Sequence, residues 1–191
     1  MKRKLAIVDV ETGGLDVSKH ALLSVAVLIW NGGAIEDEYY TLIREEDIVV
    51  EDEAMRVNGL DLSVVREQGV TPLQAVNEIT AMFQKHDMRR DIRIVAHNAQ
   101  FDTSYMKRLW TLAGKDFNKT FSFRSLCTVT GALLLEQAER IMLPGGSASL
   151  DNLVKLWGIK LDRTEGHNAL RDAHACAEVL RKEIKLVGGL Q

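Results

Sequence analysis

The chain has 191 residues, of which 46% are hydrophobic and 27% charged, with a formal net charge of −3. This length and apolar fraction suit a substantial core, and we expect residues 1–191 to form a single domain. The mildly acidic balance, with a pI near 6.0, argues against a protein that coats long nucleic acids through a strongly basic surface.

No targeting or membrane segment is apparent in the sequence. The apolar run after the basic N-terminus is interrupted by Asp9 and Glu11, which leaves no signal-peptide core. The longest apolar stretch, 21–30, is too short for a bilayer, which needs roughly 20 residues. Cys127 and Cys176 are too few for a disulfide framework or a four-thiolate zinc site. We therefore expect a cytoplasmic protein without membrane association.

The first part of the chain predicts an antiparallel meander. Residues 4–10 form an apolar run broken by one acid, which is typical of a strand buried on both faces. A second run at 21–30 is followed by the turn signal Asn-Gly-Gly at 31–33, and a third run spans 34–43. The second and third runs predict a β-hairpin.

Beyond residue 70 the pattern changes to alternating helices and strands. Thr71 and Pro72 form an N-cap and first helical position, and the helix continues through Phe83. The further predicted elements are a strand at 92–96, a helix at 99–112, a strand at 121–129, a helix through 133–135, a short helix between Ser149 and Gly158, and a last helix over 168–186. A meander followed by this alternation predicts an α/β fold, with a mixed β-sheet (antiparallel meander, then parallel strands) flanked by helices.

Two carboxylates lie on the first predicted strand. Asp9 and Glu11 are two residues apart, so strand alternation places both side chains on the same face. Their surroundings are apolar, in contrast to the charged segment 51–53, which we interpret as solvated. Such a pair tolerates burial only when it is neutralised, and a divalent cation does this well.

Two further acids occupy the starts of predicted helices. Asp102 heads the apolar stripe of the helix at 99–112, where an acid that interacts with the helix dipole is the alternative interpretation. Asp172 heads the apolar stripe of the last helix in the same way. If Asn168 is the N-cap of that helix, His167 lies on the preceding loop and can reach a site that Asp172 helps to form.

Four such carboxylates and one histidine are the components of a two-metal hydrolytic site. Oxygen ligands favour Mg²⁺ or Mn²⁺ over zinc, with two ions about 4 Å apart that also bind phosphate oxygens of the substrate. A histidine titrates near neutral pH, so His167 would deprotonate the attacking water as a general base.

The candidate residues lie in three segments: 9–15 (DVETGGL), 97–102 (HNAQFD) and 167–172 (HNALRD). In order, spacing and flanking residues, these segments resemble the three motifs of the DEDDh 3′–5′ exonuclease family, which includes ribonuclease T and the proofreading subunit of bacterial DNA polymerase III. The resemblance covers essentially the whole chain. It implies an RNase H-like fold and a single exonuclease domain.

The resemblance also implies roles for individual residues. It implies two Mg²⁺ (or Mn²⁺) ions, with His167 as the general base, since the family histidine stands five positions before the last acid, which excludes His174. The implied metal ligands, which complete the catalytic set, are Asp9, Glu11, Asp102 and Asp172.

The loop after the first strand is a candidate for substrate contact. We expect the backbone of Thr12, Gly13 and Gly14 to approach the terminal nucleotide, where the glycines leave room. We expect Leu15 to supply an apolar platform or wedge for the last base.

Three residues elsewhere belong to the same hypothesis. Asn58 lies in a segment that is similar to one in the family and is a candidate for contact with the 3′ end, with a plain turn at Asn58-Gly59 as the alternative. Asn98 is a candidate substrate contact. His97 is expected to make a structural hydrogen bond.

Charge is distributed unevenly along the chain. Residues 36–53 contain nine acids and one arginine, whereas 85–124 contain nine Lys or Arg and four Asp. The second segment surrounds the middle motif. Its candidates for contact with the phosphate backbone, with a solvated helix face as the alternative, are Lys107, Arg108, Lys115, Lys119 and Arg124.

The function predicted from the sequence is a Mg²⁺-dependent 3′–5′ exonuclease that releases nucleoside 5′-monophosphates from single-stranded ends, with DNA favoured. One alternative is an RNA-trimming enzyme similar to ribonuclease T, because the motifs do not separate DNA from RNA. Another is a proofreading or accessory subunit of a DNA polymerase, for which residues 184–191 leave little docking segment. The expected partners are 3′ ends of single-stranded DNA or RNA, and a homo-oligomer is left open.

Overall fold

The computed structural model describes residues 3–164 and 166–189, and within these ranges one sheet contains all five strands. The strands are β1 (Leu5–Thr12), β2 (Leu22–Trp30), β3 (Ile35–Leu42), β4 (Ile94–Ala96) and β5 (Leu126–Cys127), in the spatial order β3-β2-β1-β4-β5. β1, β2 and β3 pair antiparallel, whereas β4 pairs parallel with both β1 and β5. The predicted mixed sheet is confirmed.

Helices pack on both faces of this sheet. They are α1 (Asp52–Asn58), α2 (Leu62–Gln68), α3 (Pro72–Lys85), α4 (Ala99–Leu112), α5 (Thr128–Gln137), α6 (Leu150–Trp157) and α7 (Ala169–Gly188). The predicted N-caps Thr71, Ser149 and Asn168 are confirmed. In the described part of the chain, none of these helices combines the length and hydropathy that a membrane crossing requires.

Alternation along β1 divides its side chains between two cores. Val8 and Val10 pack in the core that includes α3 and α4, whereas Ile7 packs in the core with the small residues of α7. Asp9 and Glu11 follow Ile7 at alternate positions, so they lie on the same face of β1, closer to its carboxyl end. The two carboxylates are therefore directed to the α7 side of the sheet.

The predicted strand at 121–129 is too long. Phe121 makes only an isolated bridge to Ile92 and packs edge-on against Trp110, with 4.9 Å between ring centroids. β5 has two residues, and the helix α5 already begins at Thr128. The β-branched Thr128 and Val129 favour a strand by propensity, but helix packing outweighs that preference.

The sequence did not predict α1 and α2. The acids at 51–53 begin α1, where carboxylates are favoured by the helix dipole, and Gly59 ends it with a φ of 66°. Asp61 then caps α2 by accepting a hydrogen bond from the backbone N–H of Ser63. Seven-residue helices show too few turns for a hydrophobic period to be recognised.

Glu183 is a buried acid at the α5–α7 contact, and it supports a prediction about stability. The residue is 6% exposed, its Oε1 has no hydrogen-bond partner among the described residues, and a Cβ on Gly131 of α5 would lie 2.6 Å from its Oε2. Burial raises its pKa to about 8. Because the folded pKa lies above the ordinary value of about 4.3, this group lowers folding stability progressively from about pH 4.3 to pH 8.

Glu183→Gln is therefore expected to be more stable than wild type by up to about 5 kcal/mol above pH 8, and the gain should vanish near pH 4. Urea denaturation across this pH range measures the difference. Glu178→Gln is the matched control, because Glu178 is on the same helix in an ion pair with Arg181. A gain that does not depend on pH would contradict the prediction.

Candidate active site

One cavity of about 260 Å³ lies beside the carboxyl end of β1 and the first turns of α4 and α7. It is lined by the whole predicted catalytic set: Asp9, Glu11, Asp102, His167 and Asp172. The other lining residues are Val10, His97, Phe101, Ser149, Leu150, Asp151 and Arg163. The fold thus brings together three segments that are far apart in sequence.

Asp9 and Glu11 project from β1 into this cavity, as alternation predicts. Burial raises the pKa of Glu11 to about 7, and the Asp172 carboxylate adds to this effect. Burial also raises the pKa of Asp9 well above its usual range, with repulsion from Asp102 and Asp172 next in size. These carboxyl groups therefore hold protons more strongly than exposed ones, unless a cation is added to the site.

Asp102 stands in the first turn of α4 and is 3% exposed. Burial raises its pKa well above the usual range, although backbone N–H groups of Asp102 and Val10 act in the opposite direction. Its Oδ2 has no hydrogen-bond partner among the described residues. An acid that only interacted with the helix dipole would not need a buried oxygen that lacks a hydrogen-bond donor. The position of Oδ2 therefore favours the interpretation of Asp102 as a cation ligand.

His167 and Asp172 meet at the start of α7. Asn168 caps the helix by accepting two backbone N–H bonds of 3.1 Å from the first turn, so His167 lies on the preceding loop as predicted. The Nδ1 atom of His167 is 3.0 Å from Oδ2 of Asp172, and this hydrogen bond raises the pKa of the imidazole. The backbone N–H of His167 donates to the Val57 carbonyl at 3.1 Å, which ties the loop to α1.

Arg163 belongs to the site, although no sequence pattern indicated it. Its Nη1 donates to Oδ1 of Asp172, while Nε and Nη2 both donate to Oδ1 of Asp151, at 3.0 and 2.9 Å. Asp151 lies in the first turn of α6. Neither residue is in one of the three motifs, and an arginine in a loop of mixed charge carries no signal of its own.

The side chains at the cavity fit a divalent cation. Glu11, His167 and Asp172 each offer a ligand atom, and these atoms lie within 4.8 Å of one another. Asp9 and Asp102 line the same cavity, and Asp102 adds its oxygen without a partner. A set dominated by carboxylates matches the preference of hard divalent cations for oxygen ligands.

The two glycines after β1 are packed against the protein. A Cβ on Gly13 would lie 2.4 Å from the Val49 carbonyl, and one on Gly14 would lie 2.4 Å from Nδ1 of His20. The space beside both glycines is therefore filled by the protein itself, whereas the sequence suggested room for a nucleotide. Close internal packing is the reason that glycine is required here.

This packing supports an exposed apolar side chain. The carbonyl of Gly14 accepts hydrogen bonds from Thr12 Oγ1 at 2.8 Å and from the Tyr105 hydroxyl at 2.7 Å. Leu15 follows directly and is 82% exposed. The loop thus presents Leu15 to solvent on a braced backbone, and its contact with a base stays a prediction.

The other predicted contact residues differ in their surroundings. Asn58 is buried, with Nδ2 donating to the Thr12 carbonyl at 3.2 Å and Oδ1 accepting the backbone N–H two residues on. Asn58 therefore supports the loop, and its contact with a 3′ end stays a prediction, as does that of the exposed Asn98, which has a φ of 69°. The structural hydrogen bond of His97 is confirmed, with Nδ1 2.9 Å from the Thr128 hydroxyl.

Arg108 differs from its predicted role in binding phosphates. Its Nε donates to Oε1 of Glu45 at 2.9 Å, Nη2 bonds Oε2, and Nη1 donates to the Val17 carbonyl at 3.0 Å. Glu45 is 4% exposed, so the guanidinium is needed inside the protein. The other four candidates, Lys107, Lys115, Lys119 and Arg124, are exposed.

Arg108→Gln is expected to lower the free energy of unfolding by about 3 kcal/mol, because it leaves the Glu45 carboxylate buried and unpaired. Lys107→Gln, its neighbour on α4, is expected to stay within about 0.5 kcal/mol of wild type. Urea denaturation of both variants checks this. If both variants changed the free energy of unfolding by the same small amount, the Arg108–Glu45 pair would not contribute to stability.

The sequence is also similar to those of known nucleases and of a DNA polymerase subunit. A family model described as an exonuclease, RNase_T, matches residues 6–180. The chain is 30% identical over 185 residues to ribonuclease T of Shewanella denitrificans, covering 91% of this chain and 76% of that protein. It is also 30% identical over 179 residues to the epsilon subunit of DNA polymerase III of Salmonella typhimurium, covering 91% and 68%.

The fold is similar to that of solved exonucleases. Exonuclease I of E. coli in complex with a dT13 oligonucleotide superposes with a TM-score of 0.80 at 17% identity. The match covers 99% of this chain but 42% of that one, so the chain spans about two-fifths of exonuclease I.

Proposed function

The chain belongs to the exonuclease family whose model it matches, and from this membership we propose that it is a divalent-cation-dependent 3′–5′ exonuclease acting on single-stranded ends, with DNA favoured. The observation that carries the proposal is the single cavity lined by Asp9, Glu11, Asp102, His167 and Asp172. The expected products are nucleoside 5′-monophosphates.

Four carboxylates would hold the cations: Asp9, Glu11, Asp102 and Asp172. A pair of bound Mg²⁺ or Mn²⁺ ions would make water more acidic and stabilise the charge on the leaving 3′ oxygen. The protein contributes fixed positions, because two of these acids are on a central strand and two are in the first turns of packed helices. Such pre-positioned ligands bind without reorganisation.

His167 would act as the general base. Its Nδ1 is held by Asp172 at 3.0 Å, which leaves Nε2 to accept the proton of the attacking water. The raised pKa of His167 makes the neutral imidazole a stronger base in this position. Asp172 thus orients the ring in addition to its role toward the cation.

Leu15 would contact the terminal base. Its side chain is exposed on the loop after β1, next to the Gly14 carbonyl that accepts hydrogen bonds from Thr12 and Tyr105. An exposed leucine offers apolar area to any base, which suits binding without sequence preference.

The alternative substrate is RNA. Ribonuclease T is among the relatives and matches over 76% of its length, while a DNA polymerase subunit matches at the same 30% identity. Because the identity to both relatives is the same, it does not decide between a DNA and an RNA substrate, and the next experiment tests both.

The test incubates 5′-labelled single-stranded DNA and RNA of the same sequence with the protein and Mg²⁺, with EDTA as control. We expect a ladder shortened from the 3′ end on DNA, and none with EDTA. A ladder on RNA alone would support the RNA-trimming alternative. Asp102→Asn protein, purified in the same way, controls for contaminating nuclease. If wild-type protein gave no ladder on either nucleic acid, that result would contradict the proposed exonuclease activity.

A further inference from the structure

Both carboxylate oxygens of Asp172 are engaged by cationic or potentially cationic side chains. Oδ1 accepts a hydrogen bond from Nη1 of Arg163, and Oδ2 lies 3.0 Å from Nδ1 of His167. Asp172 is 4% exposed, so water screens these charges little. A cation bound at Oδ1 would lie beside the guanidinium and be repelled by it. Arg163 and a cation therefore compete for Asp172.

Arg163 has a second anchor that does not depend on Asp172. Nε and Nη2 both donate to Oδ1 of Asp151, at 3.0 and 2.9 Å, and Asp151 is on a different helix from Asp172. When Nη1 leaves Asp172, the guanidinium can thus stay at the cavity. Among the described residues that line this cavity, Arg163 is the only arginine or lysine.

We propose that Arg163 is an exchangeable counter-ion: it pairs with Asp172 in the cation-free protein and with the terminal phosphate group of the nucleic acid once a divalent cation occupies the site. The proposal rests on the exonuclease function argued above. A guanidinium suits this exchange, because its N–H donors match phosphate oxygens as well as carboxylate oxygens. One side chain would then couple cation binding to nucleic-acid binding.

The first measurement is Mn²⁺ binding by calorimetry without nucleic acid. Arg163→Gln removes the competitor, so we expect Mn²⁺ to bind about tenfold more tightly than to wild type. Arg163→Lys keeps the charge but lacks the fork that spans both acids, so its affinity should lie between the two. Lys160→Gln removes the same charge from an exposed position nearby in the chain and should change the affinity less than about twofold.

The second measurement separates exchange from a fixed positive charge. Thymidine 5′-monophosphate carries the phosphate group but has no phosphodiester bond, so the proposed activity does not consume it. With saturating Mn²⁺, Arg163→Gln is expected to bind it about tenfold more weakly than wild type. In EDTA the two proteins should differ less than about twofold, because Arg163 is then paired with Asp172.

Two results would overturn the proposal. An equal loss of nucleotide affinity with Mn²⁺ and with EDTA would make Arg163 a fixed charge. A Mn²⁺ affinity of Arg163→Gln no higher than that of wild type would make it only a support for Asp172. Melting temperatures in EDTA establish that each variant is folded. Failure of the exonuclease function itself would be seen separately, as wild-type protein that shortens neither DNA nor RNA.

Discussion

Replacing His167 by alanine is expected to lower the turnover number by about 100-fold or more and to leave substrate binding nearly intact. The side chain is on a loop and 40% exposed, and Asp172 holds its Nδ1, which leaves Nε2 as the atom to accept a proton. The four carboxylates that would hold the cations stay in place, and the cations would still bind the phosphate oxygens of the substrate. Single-turnover hydrolysis of labelled DNA measures the first effect, and fluorescence anisotropy of the DNA measures the second.

His174→Ala is the matched control for this variant. His174 is on α7, just beyond His167 in the chain, and is 44% exposed. Its Nε2 lies 2.9 Å from Oε2 of Glu38, and His174 does not line the cavity. Its loss should leave turnover within about twofold of wild type. Partial rescue of His167→Ala by added imidazole would support a missing base. Wild-type-like turnover of His167→Ala would remove His167 from the mechanism.

The convergence of the carboxylates could be predicted from the sequence for a physical reason. An acid within an apolar strand or at the head of an apolar helix stripe has no satisfactory place in a core, so it marks a site. Asp9 and Glu11 share a face because strand side chains alternate, and Asn168 signals where α7 begins. The structure places the predicted catalytic set around one cavity: Asp9, Glu11, Asp102, His167 and Asp172.

Other parts of the site could not be predicted, because they depend on contacts between distant segments. Gly13 is required by the carbonyl of Val49, and nothing near Gly13 in sequence shows that contact. Arg108 is conspicuous as a cation, yet its partner Glu45 is 63 positions away in an acidic segment. A linear pattern records which charges exist, whereas their pairing depends on the fold.

Asp102→Asn is expected to make the cation-free protein more stable while lowering turnover by about 1,000-fold or more. The carboxylate is 3% exposed, one oxygen has no hydrogen-bond partner among the described residues, and Glu11 repels it. Removing its charge relieves burial and repulsion, which should raise the free energy of unfolding in EDTA by about 1–2 kcal/mol. The same change removes an oxygen ligand from the cation site.

Urea denaturation in EDTA and in Mn²⁺ measures both consequences in one series. Wild type should gain stability with Mn²⁺ because the cation binds the folded state, whereas Asp102→Asn should gain little. Asp47→Asn makes the same chemical change at an exposed position and should alter neither value. The two interpretations of Asp102 predict opposite changes in the stability of the cation-free protein. If Asp102 only stabilised the start of α4, Asp102→Asn would lower the free energy of unfolding. If Asp102 is a cation ligand, its buried charge destabilises the cation-free fold, and Asp102→Asn raises that free energy while activity falls. Lower stability in EDTA, together with a full response to Mn²⁺, would assign Asp102 to the helix alone.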